Sequence, residues 1–197
     1  MSVALGGSGI CSDSHPALIV MYQAVADGWD PPRTLTRDEW YSAKMLHDTD
    51  PLKAFAGFGC SYRGLYFSGY AGGYVSPTSR YGAIAARQTI RRDVLTLKRR
   101  GCVFESRDFF SIEPKPGVFL YLDPPYKGTA EYDGTSRFDY ERFYRRVIEW
   151  AAFGPVCVSE YDFPLGECVW GMLKRKKLVD RNQYSAYEKL YVVGEIE

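Results

Sequence analysis

The sequence predicts an α/β protein with its functional groups at strand C-termini. Three observations lead there. Apolar runs of buried-strand length, Val118 to Leu122 and Val156 to Val158, are each followed at once by polar or turn-forming residues. Segments with helical apolar spacing and readable caps alternate with such runs. No internal repeat or low-complexity tract breaks the alternation.

The elements follow in order. Ile10 to Asp13 reads as a strand end. Pro16 suits a first helical position, Leu18, Met21, Tyr22 and Val25 keep helical spacing, and Gly28 stops that helix. Trp29 to Arg33 is a Pro-rich linker. Thr36 with Glu39 forms a capping-box pattern before a helix through about His47, and Pro51 closes that unit. From 54 to 78, glycines alternate with aromatic residues, which reads as a loop-rich insertion and not a helix. Ser79 to Arg100 predicts a basic helix with Ile84, Ile90, Val94 and Leu97 inward, ended by Gly101. Cys102 to Glu105 is a short strand, followed by Asp108 and Phe109. Asp139 is the expected N-cap of a helix, with Phe138 and Phe143 as a hydrophobic staple and Phe143, Val147, Trp150 and Ala151 on its inner face. Val156 to Val158 ends at Ser159-Glu160-Tyr161, and Lys189 to Val193 forms a last strand paired with Lys177 to Val179.

Composition narrows the class. A chain of 197 residues favours one domain with an inserted subdomain. No run of about 18 apolar residues is present, so no membrane span is expected. The start lacks a basic segment and an apolar core of the signal-peptide kind, which predicts a cytoplasmic protein. Five scattered cysteines without a CxxC pair, and two histidines far from them, predict neither a zinc site nor a disulfide framework. The net charge of +1 means that any nucleic-acid surface must be a local one. The sixteen tyrosines serve either as core or as stacking groups.

One motif carries chemistry. Asp123-Pro124-Pro125-Tyr126 follows Leu120-Tyr121-Leu122 directly, at a strand end where α/β proteins place ligands. Chance alone would give this tetrapeptide in a chain of this length with odds on the order of one in a thousand. The exocyclic amine of adenine is a poor nucleophile because its lone pair is delocalised into the ring. A carboxylate and a carbonyl that accept its N–H hydrogens draw the nitrogen toward a tetrahedral, reactive form. Asp123 is the acceptor side chain, and Pro124 supplies a carbonyl held rigid by Pro125. Tyr126 offers a flat face to a base extruded from a duplex.

The stretch from Leu120 to Ala151, around this motif, resembles the catalytic segment of Dam-type adenine-N(6) DNA methyltransferases. The segment Cys11 to Val25 resembles the part of that family in which an acidic residue, here Asp13, binds the ribose of S-adenosylmethionine. Ser106 to Ile112 resembles the part whose acidic residue, here Asp108 with Phe109 beside it, approaches the cofactor's adenine. Asp123, close to the donor's sulfonium, counts with both the catalytic and the cofactor-binding groups. Ala54 to Tyr70 resembles the DNA-contacting insertion of small phage-like members, and Val156 to Pro164 the strand after the catalytic motif. The resemblance implies a Rossmann-like S-adenosylmethionine-dependent methyltransferase fold. Residues 1–30 and 101–197 would form the catalytic domain and 31–100 an inserted target-recognition region. It implies double-stranded DNA as partner in a bacterial or phage-infected host cell.

The chain departs from that pattern at its start. The family's Lys-rich cofactor segment and its first strand, with a Phe-x-Gly-Gly-like loop, are not seen upstream of Asp13, and Gly6-Gly7-Ser8-Gly9 reads as a turn. The first strand is central in the family's sheet. An upstream start, a second chain that supplies the strand, or a truncated, catalytically impaired DNA-binding relative would each account for this. Methylation of RNA or of a protein amide is a further alternative. For DNA contact the expected residues are Arg63 in the insertion and Arg80, Arg87 and Arg91 of the basic helix, in a cluster that also holds Arg92, Lys98, Arg99 and Arg100.

Overall fold

A computed structural model describes residues 9–71, 82–127, 138–175 and 185–195. Within them the chain is mixed α/β, and it divides into two compact units, Leu5–Phe109 and Phe110–Glu197.

In the first unit, β1 (Ile10–Asp13) runs parallel to β2 (Val103–Ser106), with Ile10 opposite Val103 and Asp13 opposite Ser106. Parallel neighbours need a long crossover, which the intervening helices provide. α1 (Pro16–Ala26) has Pro16 in its first turn and ends before Gly28, whose φ of +104° suits a residue without Cβ. α2 (Arg37–Lys44) carries the full capping box: Thr36 Oγ1 accepts from the Glu39 amide at 3.2 Å, and Glu39 Oε2 accepts from the Thr36 amide at 2.7 Å. Such a cap contributes about 1 kcal/mol. Ala17, Met21, Leu35, Trp40, Phe55 and Ala83 share one buried cluster, so the segment after residue 31 packs on the same core as α1.

Two expectations for this unit need correction. Pro51 opens an element: it begins α3 (Pro51–Ala54), capped by Asp50 Oδ1, which accepts from the Leu52 amide at 2.9 Å. The helix then continues into a π-turn over Phe55–Gly59 and a 3₁₀ turn over Tyr62–Gly64, where a loop was expected. Gly57 sits inside the π-turn because a Cβ there would lie 2.3 Å from the Tyr66 ring. It permits close packing and does not mark a loop. In α4 (Ala83–Arg99), Val94 and Leu97 are buried and Ile90 lies against the core, but Ile84 is 41% exposed. The inner stripe begins at Ala83, and Ile84 falls one residue, about 100°, off it. Residues 72–81, including Arg80, lie outside the described residues.

In the second unit, β3 (Leu120–Leu122) and β4 (Val156–Glu160) are parallel. β5 (Glu167–Arg175) and β6 (Ser185–Val193) complete the order β3-β4-β6-β5, in which β6 is antiparallel to both its neighbours. All five residues of β4 are buried, as a strand covered on both faces requires. β3 is shorter than the apolar run that announced it, and Val118 and Phe119 are both 42% exposed. α5 (Tyr140–Ala151) begins at Asp139, whose Oδ1 accepts from the Arg142 amide at 2.9 Å. Phe138 and Phe143 meet at 5.5 Å as the staple, and Phe143, Val147 and Trp150 form the buried stripe. The last strand is longer than expected and pairs with β5 and β4. The expected partner segment, Lys177 to Val179, lies outside the described residues.

Among the described residues no strand precedes β1. β1 pairs with β2 alone, and β3 with β4 alone.

Candidate functional site

The Asp123–Tyr126 turn leaves the C-terminal end of β3, beside the C-terminal end of its parallel neighbour β4. With Leu122 opposite Val158, Ser159 and Glu160 come level with the turn. Antiparallel β6 then brings Glu188 to the same end, one residue beyond the Glu160–Lys189 pair.

Hydrogen bonds join these residues. The Ser159 hydroxyl donates to Asp123 Oδ1 at 2.8 Å. The Tyr126 hydroxyl donates to Glu188 Oε1 at 2.5 Å, a length typical of a charge-assisted bond, and lies 3.2 Å from Ser159 Oγ. Glu160 accepts from two amides, Lys127 N at 3.0 Å and Tyr161 N at 2.7 Å, so it ties the exit of the turn to β4. The Tyr140 hydroxyl, at the start of α5, donates to the Pro125 carbonyl at 2.8 Å. The Tyr126 and Tyr161 rings meet at 4.6 Å and 87°. Pro124 is buried, Tyr126 half-buried, and Asp123 and Pro125 exposed. The turn is therefore held from beneath and presents its carboxylate outward.

Burial pushes the Tyr126 hydroxyl well above the usual tyrosine range, and the bond to Glu188 adds to the rise. It stays protonated and keeps donating. Burial likewise raises Glu160, with Asp123 and Asp162 adding, against the two amides that favour its charged form. In the unfolded chain Glu160 returns to its ordinary value of 4.5. The folded state therefore binds the proton more tightly. This contribution to stability is full below pH 4.5 and is lost as pH rises through the raised value. Glu160→Gln cannot titrate. The wild type should thus gain in Tm relative to this variant as pH falls from neutrality to about 4.5, then hold level. Thermal melts across that range check this; a difference independent of pH would contradict it.

The expected cofactor residues lie in the other unit. Asp13 ends β1 and Asp108 follows β2, so the parallel pair brings both to one end of its sheet. Asp13 Oδ1 accepts from the His15 amide at 2.8 Å, and its carbonyl accepts from the Arg107 amide at 3.0 Å. Asp108 is exposed, and Phe109 begins a 3₁₀ turn, half-buried.

The basic candidates divide. Arg63 is exposed, has a φ of +58°, and lies with its guanidinium 5.2 Å from the Tyr62 ring centre. The tight turn that carries it is closed by Tyr62 N donating to Gly69 O at 2.7 Å. Arg87 and Arg91 both direct their guanidinium groups at Asp30, and the hydrogen bond from Arg87 leads in holding that carboxyl below its usual range. Their positive charge is partly balanced within the unit.

Sequence reading missed Ser159, Glu160 and Glu188 as site residues. A polar Ser-Glu pair closing an otherwise apolar strand was a usable signal for the first two. Glu188 gives no local signal, because only the β4–β6 register brings it there. An open cleft of about 310 Å³ along α5, lined by Phe110, Glu113, Arg142, Arg145, Arg146 and Glu149, includes none of these residues. Chemically, the turn offers an oriented carboxylate and an anchored aromatic ring, joined by a rigid proline pair. That arrangement accepts N–H hydrogens from a planar amine. No protein-family model matches the chain, and no curated protein matches it in sequence.

Proposed function

We propose that the chain is an S-adenosylmethionine-dependent DNA methyltransferase acting on the exocyclic N(6) amine of adenine, in the cytoplasm of a bacterial or phage-infected cell. The observation that carries this reading is the Asp123-Pro124-Pro125-Tyr126 turn at a parallel strand end, with Asp123 held by Ser159 at 2.8 Å. Fixing the carboxylate beforehand removes reorientation from the reaction. The anchored Tyr126 ring suits stacking against an extruded base.

The residue types at the other strand pair fit the cofactor. Asp13 suits the two hydroxyls of a ribose, Asp108 an adenine amine, and Phe109 the face of that adenine. When bound, the cofactor supplies an electrophilic methyl group on a cationic sulfur. Asp123 and the Pro124 carbonyl accept the amine's hydrogens and direct its lone pair outward. Asp123 would take the surplus proton left on the amine nitrogen after transfer and pass it to solvent. In this reading Arg63, exposed on its tight turn, is the best-placed DNA contact, whereas Arg87 and Arg91 first hold Asp30.

The test is incubation of the 197-residue chain with unmethylated duplex DNA and S-adenosylmethionine labelled in its methyl group. Label recovered as N(6)-methyladenine is expected. Label in RNA or protein amides instead would refute the assignment, and none in DNA would favour the catalytically impaired DNA-binding relative.

A further inference from the structure

We propose that Ser159 and Glu188 are positioning residues that fix Asp123 and Tyr126 for the reaction, so that the working site extends over β3, β4 and β6. This rests on the methyltransferase reading and names what makes its motif work. The geometry is specific. Ser159 Oγ reaches Asp123 Oδ1 at 2.8 Å and Tyr126 OH at 3.2 Å, so one hydroxyl contacts both chemistry-bearing side chains of the turn. Ser159 is itself 4% exposed, one residue before the end of a fully buried strand, so its hydroxyl is not free to wander. Glu188 Oε1 accepts a hydrogen bond from the Tyr126 hydroxyl at 2.5 Å. That bond fixes the phenol at the tip of the ring, while the backbone fixes the other end.

The two bonds have separate effects. A carboxylate on a turn rotates about χ1 and χ2, and each extra rotamer dilutes the one that meets the amine. A donor at one oxygen selects a rotamer without neutralising the charge. A tyrosine tied only at its backbone swings, and a stacking platform that swings binds a base with less preference for one plane. Asp123 is exposed and Tyr126 half-buried, on a turn whose two prolines stiffen its backbone without setting side-chain torsions. Ser159 and Glu188 add order at those torsions.

The experiment uses the full chain and four variants: Ser159→Ala, Ser159→Thr, Glu188→Ala and Glu188→Gln. Threonine keeps the hydroxyl and glutamine keeps an accepting oxygen, so both are rescues. Two readouts are taken. Methyl transfer to duplex DNA should show kcat lower by about tenfold to a hundredfold in the two alanine variants, with the KM for DNA nearly unchanged and most of the rate restored in the rescues. NMR couplings across the Asp123 and Tyr126 χ1 bonds, which need no activity, should report one rotamer in the wild type and rescues. They should report averaging at Asp123 in Ser159→Ala and at Tyr126 in Glu188→Ala. Unchanged rotamers in the alanine variants would overturn the proposal whatever the activity. Averaged rotamers with an unchanged kcat would overturn it too, as would a rise in KM alone. Rotamer averaging together with a wild type that transfers no methyl group upholds the tethers and counts against the methyltransferase reading instead.

Discussion

Asp123→Ala should lower methyl transfer by at least about 10²–10⁴-fold while leaving DNA affinity close to that of the wild type. The substitution removes the one carboxylate that the turn itself supplies, and leaves Pro124, Pro125 and the β3–β4 pairing in place. Affinity for DNA rests mainly on cationic contacts to phosphate, to which a carboxylate contributes nothing favourable. The loss should therefore appear in kcat, not in binding. Asp123→Asn keeps one carbonyl oxygen that Ser159 can still reach, and should retain more activity than alanine. Steady-state kinetics and a fluorescence-anisotropy titration of duplex DNA separate the two effects. Turnover retained in Asp123→Ala would remove the catalytic role, and a matching loss of DNA affinity would recast the residue as structural.

How far the sequence displays this site depends on the range of the forces involved. Local chemistry was legible. The Thr36–Glu39 box, the Asp139 cap with its Phe138–Phe143 staple, and the turn after β3 are each set by residues within a few positions. Where a local signal has two physical meanings, the reading went astray. Pro51 can close one segment or open the next, and Asp50 beneath its first turn decides for opening. Gly57 and Gly59 suggest a loop, yet here they make room for the Tyr66 ring and the Ala86 methyl group around a π-turn. The strand β5 escaped notice because Val169, Trp170, Met172 and Leu173 are all substantially exposed, and no in–out alternation betrays it. Long-range register was illegible. Glu188 meets Tyr126 across 62 residues of sequence, and nothing near either residue announces the other. The same holds for the basic helix. Counting charges along the chain does not show that Asp30, from a distant linker, engages both Arg87 and Arg91.

Trp150→Ala should be the most damaging single truncation for stability in the second unit, costing about 3–5 kcal/mol. Trp150 is 1% exposed on the inner stripe of α5, alongside Phe143 and Val147. Its removal leaves a cavity the size of an indole, in a stripe otherwise made of one phenyl ring and one valine. Such a loss is a large share of the roughly 5–15 kcal/mol that holds a domain together. Packing, not hydrogen bonding, should account for most of it. The indole donates to the Ile112 carbonyl at 3.1 Å, but Arg146 Nη2 donates to the same oxygen at 2.6 Å, so the acceptor stays satisfied without the indole. Trp150→Phe therefore restores most of the lost packing without stranding the half-buried carbonyl, and should cost well under half as much as alanine. Urea unfolding followed by circular dichroism measures both variants. A Trp150→Ala cost below about 1 kcal/mol would show that α5 does not depend on this side chain for docking. A Trp150→Phe cost equal to that of alanine would shift the explanation from packing to the indole N–H. The outcome also bears on the catalytic turn, because Tyr140, at the start of the same helix, donates to the Pro125 carbonyl at 2.8 Å. A helix loosened at Trp150 should release that bond, and activity in Trp150→Ala should fall at temperatures below its own unfolding midpoint.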